Sequence, residues 1–315
     1  GGGPRPARGT GARGGTLSRR ERPPSARDAV ADLLSERLGL RGFSGLVEEE
    51  AARAAEEAEG RDVPRRDLTE LATFTVDPAT ARDFDDAVSA QREGDGWRIW
   101  VHIADVAAHV RPGSPLDLEA LRRANSPYVP GTVEPMLPHS LSSGACSLSP
   151  GVERLAVTAE IELGADARPT RTHFYRSRIR SDARLDYEQL DRVFDGREEP
   201  PAAVAEPLAA ARDVAAALGE HRGATSLDVE SAEPEFEFDA DGNVAAAHRV
   251  PQTEAHRLIE RLMVFTNERV AEFLVDRRVP AVYRVHAQPD PPRIERLLEQ
   301  LAALDLSYEC WLFHN

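Results

Sequence analysis

The chain has 315 residues, 41% of them hydrophobic and 30% charged, with a formal charge of −15. That is enough for one large domain or two ordinary ones with a real core, it offers no apolar run of about 18 residues to cross a membrane and no signal-peptide stretch, and its acidity excludes a surface that is basic all over. Cys146 and Cys310 stand far apart in sequence, giving neither a disulfide framework nor zinc-ligand spacing, so the cytoplasm is the expected compartment.

Charge is unevenly spread. Residues 1–27 contain seven Arg and one Glu, which leaves −21 on the remainder, and the chain has no lysine. This Gly/Arg/Pro/Ser-rich segment is expected to be a disordered tail able to touch phosphates without sequence preference. Residues 28–65 read as a helical lead-in, with Val30, Leu33, Leu34 and Leu38 on one stripe and a second helix from Leu46 to Ala58.

The run Leu71 to Asp77 is β-branched and aromatic, which predicts a half-buried strand ending at Asp77, where Pro78 has no N–H to continue a ladder. Ten residues from Asp77 to Asp86 then hold four aspartates, Asp77, Asp83, Asp85 and Asp86, with Arg82 as the one basic residue among them. Carboxylates held together repel unless a cation offsets them or some are protonated. Hard divalent ions such as Mg²⁺ take oxygen ligands, and a pair about 3.5–4 Å apart suits displacement at phosphorus. A solvated acidic loop is the rival reading. A calcium loop of the EF-hand type fails, because Ala87 stands where its third ligand belongs.

A β-hairpin is expected next, its strands on either side of Gly94-Asp95-Gly96, the second strand (Trp97 to Asp105) central and carrying His102. His102 reads more readily as a satisfied core residue than as a ligand. Residues 111–153 are punctuated by Pro and Gly and form a long ordered loop with a short helix, Leu116 to Ala124; such loops are commonly functional. Tyr128, between two prolines, is either a core aromatic or a base-stacking surface. A second hairpin covers 154–181, and Arg176, Arg178 and Arg180 on its return strand share one face, either a polyanion contact or a solvated stripe. Residues 182–232 read as helical, 235–250 as a third hairpin, 254–278 as the strongest helix, Val282 to His286 as a short strand and 293–304 as a last helix.

From about Arg66 the chain resembles the catalytic (RNB) domain of the ribonuclease II / ribonuclease R family. The motifs that carry the resemblance run in order: Asp67 to Pro78 with Ala81 to Ala87; Val101 to Val106; Arg111 to Asp117; Pro135 to Pro138 with Leu141 to Leu148; His256 to Glu260 with Met263, Asn267 and Glu268; and Tyr283 to His286. The fold implied is mixed α/β (α+β), with antiparallel hairpins and a long central helix. The lead-in and tail would precede it, and residues 66–315 would form a partial RNB domain.

The resemblance implies a Mg²⁺-dependent hydrolytic 3′→5′ exoribonuclease that releases 5′-mononucleotides from single-stranded RNA. It would be a monomer with no protein partner and no membrane. Asp77, Asp83, Asp85 and Asp86 would be the catalytic residues and hold one or two Mg²⁺; Tyr128 would stack on a base, Tyr187 would lie near the ribose and Glu260 would read the 2′-hydroxyl. Here the family's Glu-Glu pair is Glu260-Arg261. The family's cold-shock and S1 domains and its Ser-Pro-Ile-Arg-Arg-Tyr motif have no counterpart in this sequence. The expectation is therefore a chain cut short at its C-terminus, with the alternative of a catalytically impaired, metal-dependent RNA-binding module.

Overall fold

The computed structural model describes residues 25–304 except 41, 58–62, 130–131, 224–232, 284 and 286. Most of the expected tail, Cys310 and the chain end lie outside the described residues. The chain divides into two compact units, Gly1–Val264 and Phe265–Asn315.

Two helices come first, α1 (Ala26–Leu38) and α2 (Gly45–Glu57). Ser25 caps α1 through a capping box with Asp28. The first unit is built on a seven-stranded mixed sheet. Its strands are β1 (Arg66–Leu68), β2 (Phe74–Asp77), β3 (Asp86–Glu93), β4 (Gly96–Ala104), β7 (Glu153–Leu163), β8 (Pro169–Arg180) and β9 (Ala183–Asp186), in the spatial order β1-β8-β7-β4-β3-β2-β9. The hairpins β3–β4 and β7–β8 are antiparallel, whereas β1 runs parallel to β8 and β9 parallel to β2. Strand β4 is the middle of the seven, as its nearly unbroken apolar run requires. Between β4 and β7 lie the one-turn α3 (Val106–His109), α4 (Pro115–Arg123), the two-residue strands β5 (Tyr128–Val129) and β6 (Thr132–Val133), and a π-helical turn (Leu141–Ala145).

The lead-in helix α2 is part of the core. Val47, Ala51 and Ala54 pack with Ala87, Ala104, Ala156 and Ile179 of the sheet and with Leu116, Leu137, Leu141 and Leu148 of the long connection. After β9 come α5 (Tyr187–Phe194), α6 (Ala205–Gly223), the hairpin β10 (Glu233–Phe238) and β11 (Val244–Val250), and α7 (Glu254–Asp276). Among the described residues no helix is long and apolar enough to cross a membrane. In the second unit α8 (Pro291–Ala303) has no buried residue, and Val282, Tyr283 and Val285, expected in a strand, belong to none.

One further expectation changes and one open reading closes. The segment 182–232 opens with a strand: Ala183 and Leu185 are buried and alternate with half-buried Arg184 and Asp186, a period of two inside a stretch whose Ala and Arg content favours helix. The arginine stripe of β8 is charge-balanced. Arg176 lies 3.6 Å from Asp105, Arg178 3.5 Å from Glu153 and Arg180 3.3 Å from Glu70. It is a solvated, ion-paired face, three strand spacings (about 14 Å) from the row that holds Asp86.

His102 is fully buried in a ladder of side-chain hydrogen bonds that crosses the sheet. Thr73 meets Ser89 at 2.7 Å, Ser89 meets His102 Nε2 at 3.2 Å, His102 Nδ1 meets Thr158 at 2.8 Å and Thr158 meets Ser177 at 2.6 Å. Burial pushes the imidazole down to about 3, so it stays neutral. His102→Leu removes one partner from each of two buried hydroxyls, which keep Thr73 and Ser177 as partners, and is expected to lower stability by about 1–3 kcal/mol in urea unfolding. Loss of activity at unchanged stability would instead make His102 part of the chemistry.

Candidate active site

Strand β2 ends at Asp77 and β3 begins at Asp86, and the eight residues between them loop out at one end of the sheet. The far limb of this loop is fastened to the core. Phe84 N donates to Ser147 Oγ at 3.1 Å, Leu148 N donates to Phe84 O at 2.8 Å and Ala104 N donates to Asp85 O at 2.9 Å. Phe84 packs against the core cluster, so its neighbours Asp83 and Asp85 are turned the other way.

Asp77 is buried, and its Oδ2 has no hydrogen-bond partner. Burial, then the charges of Asp86 and Asp85, hold its carboxyl up at about 7. Burial and then Asp85 raise Asp86 to about 6. Asp85 is more open, yet partial desolvation and then Asp83 also lift it above the ordinary carboxylate range. The carboxylates therefore feel one another across the loop. Even so, among the described residues no three His, Cys, Asp or Glu side chains converge closely enough to hold an ion as they stand. Repulsion without a counter-ion keeps such a set spread. The donors fit Mg²⁺: all are hard oxygens, and the orphaned buried Oδ2 of Asp77 lacks the cation or proton that would satisfy it.

Tyr128 joins this group from the β5–β6 hairpin. Its hydroxyl donates to Asp83 Oδ2 at 2.5 Å while the residue stays 63% exposed, which leaves it accessible to a ligand. Tyr187 is set beside Asp77 by the parallel pairing of β2 with β9, which puts Asp186 opposite Asp77. Asp186 then caps α5 by accepting from Gln189 N at 2.7 Å, which fixes Tyr187 in the first turn. Burial, then Asp86 and Asp77, raise the Tyr187 phenol to about 12. Glu260 is exposed on α7. Its neighbour Arg261, which departs from the family pair, is turned onto α6: its Nη1 donates to Ala215 O at 3.2 Å, and its guanidinium lies so close to Gly219 that a Cβ there would collide with it.

Two residues of this region escape sequence reasoning. His256 stacks on Tyr187 with ring centroids 4.0 Å apart and planes 11° apart, its Nδ1 2.7 Å from Thr253 Oγ1. Arg184, on the strand read as helix, donates to the carbonyls of Pro78 and Ala79 in the loop itself. The alternation around Arg184 was the signal that could have found it.

The RNB domain family model matches residues 65–312. This chain belongs to the RNB family. It is 37% identical over 268 residues to ribonuclease R of Vibrio parahaemolyticus and 38% identical over 268 residues to ribonuclease R of Escherichia coli, covering 82% of this chain in each case. It spans about a third of the length of these relatives (32% and 33%). Its fold matches the apo form of Mycoplasma genitalium RNase R with a TM-score of 0.82 at 30% identity, over 88% of this chain and 44% of that one. That enzyme has also been solved with double-stranded RNA and with ribose-methylated single-stranded RNA. The mixed α/β architecture of the RNB domain is thus the architecture of this chain.

Proposed function

We propose that this RNB chain carries the hydrolytic centre of a 3′→5′ exoribonuclease that shortens single-stranded RNA and releases 5′-mononucleotides. One observation carries the reading: four aspartates on one loop and its two flanking strand ends share one end of the sheet, near enough that Asp86 and Asp85 help to raise Asp77 to about 7 and Asp85 helps to raise Asp86 to about 6, with the exposed Tyr128 bonded to Asp83. Asp77, Asp83, Asp85 and Asp86 would hold one or two Mg²⁺ ions, which supply an activated water and offset charge on the scissile phosphate.

The chain's own residues do the rest. Tyr128 offers its ring face to a base, a contact that tolerates any sequence. Tyr187, held rigid between α5 and the His256 ring, closes the side of the site next to Asp77. Glu260 presents an acceptor on the helix face that Arg261 leaves, so a ribose hydroxyl has a carboxylate to meet. RNA bound in the structures of the Mycoplasma genitalium relative supports RNA as the ligand. We place the protein in the cytoplasm, working as a monomer.

A second reading, a metal-dependent RNA-binding module with little turnover, uses the same acidic loop and the exposed Tyr128 without the cleavage step. Chromatography of the products separates the two. Nucleoside 5′-monophosphates formed with Mg²⁺ and abolished by EDTA establish the exonuclease; RNA retained intact in a Mg²⁺-dependent complex establishes the binder. Under the exonuclease reading, Tyr128→Ala raises KM by roughly 5- to 150-fold, the worth of one stacked base, while Tyr128→Phe keeps KM within a few-fold. Equal KM values for the two variants would remove the ring from substrate binding.

A further inference from the structure

We propose that Arg184 is a positioning residue of the acidic site, setting the span between Asp77 at one end of its loop and Asp83 and Asp85 at the other. The inference rests on the metal-dependent reading above. From β9, Nη2 of Arg184 donates to the carbonyls of Pro78 and Ala79, each at 2.9 Å. These are the two residues that follow Asp77. The Cζ of Arg184 also lies 5.4 Å from the centroid of the Phe84 ring, the residue between Asp83 and Asp85. One guanidinium thus bonds to one limb of the loop and lies within cation–π range of the other.

The two limbs are held by different means. The far limb is tied to the core by Ser147, Leu148 and Ala104. The near limb has a turn bond from Ala81 N to Pro78 O at 2.9 Å and the grip of Arg184. The register that pairs Thr75 with Arg184 and Asp77 with Asp186 delivers the guanidinium to this spot. Its Nε is buried without a partner, at a cost in stability. A strand residue with an easier life would be apolar here.

Arg184 acts on a metal in the loop in two ways of opposite sign. Its charge repels a cation, so removing the charge alone strengthens metal binding. Its grip orients the ligands, so removing the grip weakens binding, by about 10- to 100-fold for groups that orient metal ligands. Arg184→Met removes both charge and grip. Arg184→Lys keeps the charge, but its shorter side chain ends short of the Nη2 position that meets both carbonyls and has no planar face to set over Phe84.

The experiment is calorimetric titration of Mn²⁺ into the whole chain and its two variants, with thermal melts beside it. Both variants are expected to bind Mn²⁺ about 10-fold more weakly than wild type. Tighter binding by Arg184→Met, or wild-type affinity in Arg184→Lys, overturns the positioning role. Should Arg184→Met fail to fold, Arg184→Lys alone decides. A wild-type chain that takes up no Mn²⁺ overturns the metal reading itself, a failure seen before either variant is compared.

Discussion

Replacing Asp77 by Asn is expected to raise the melting temperature of the metal-free protein at pH 8 and to leave it unchanged near pH 4. Asp77 is buried, its Oδ2 has no partner, and its carboxyl is held up at about 7 by burial and by Asp86 and Asp85. In the unfolded chain the same group titrates near 4. Between those values the folded state binds the extra proton, so the wild type loses stability as pH rises from about 4 to about 7, and the loss is complete above that. A shift of this size is worth about 2–4 kcal/mol. Asparagine escapes the penalty, and the gain over wild type should grow through the same window. Saturating Mg²⁺ reverses the order, because the wild type then gains binding free energy that the variant lacks. Calorimetric scans in EDTA and in Mg²⁺ at pH 4, 6 and 8 read all of this. An Asn variant less stable than wild type at pH 8 in EDTA would mean that Asp77 is held by partners rather than strained.

Asp85→Asn should separate turnover from binding. Asp85 is the most open of the cluster and is raised above the ordinary range by partial desolvation and by Asp83. Loss of one charged group preorganised at the reacting phosphate is expected to reduce kcat by about 10²–10³. RNA is a polyanion, so deleting a negative charge from its site is expected to tighten RNA binding measured in EDTA. The two readouts therefore move in opposite directions. Joint loss of turnover and affinity, with a lowered melting temperature, would point to a damaged fold instead.

Much of this was legible in the sequence because local chemistry and tertiary structure agree. Gly94-Asp95-Gly96 set the first hairpin, the apolar run from Trp97 put β4 at the sheet centre, and Pro78 ended β2 at Asp77. The closeness of Asp77 to Asp86 followed from a short loop between adjacent strands. What was hidden depends on pairing between distant segments. Strand β9 exists because Ala183–Asp186 hydrogen-bonds to β2, more than a hundred residues earlier, and its four-residue alternation is too short to stand out in a stretch rich in Ala and Arg. Arg184 and Tyr187 reach the site through that pairing. The ion pairs of Arg176, Arg178 and Arg180 likewise come from β4's end, the β7 start and the loop after β1, so a stripe that reads as basic in one strand is balanced in three dimensions. The turn of Arg261 onto Gly219 of α6 could not be read from either helix alone.

The most direct test of the central claim, that the Asp77–Asp86 loop is a metal-dependent RNA-hydrolysing centre, is a time course on a single-stranded oligoribonucleotide labelled at its 5′ end. The chain and its Asp85→Asn variant are run side by side in Mg²⁺ and in EDTA. Stepwise shortening of the labelled strand from its 3′ end by the wild type in Mg²⁺, absent in EDTA and slowed at least 100-fold in the variant, is the predicted result. Full-length RNA in every lane, or shortening that EDTA and Asp85→Asn leave untouched, would contradict it.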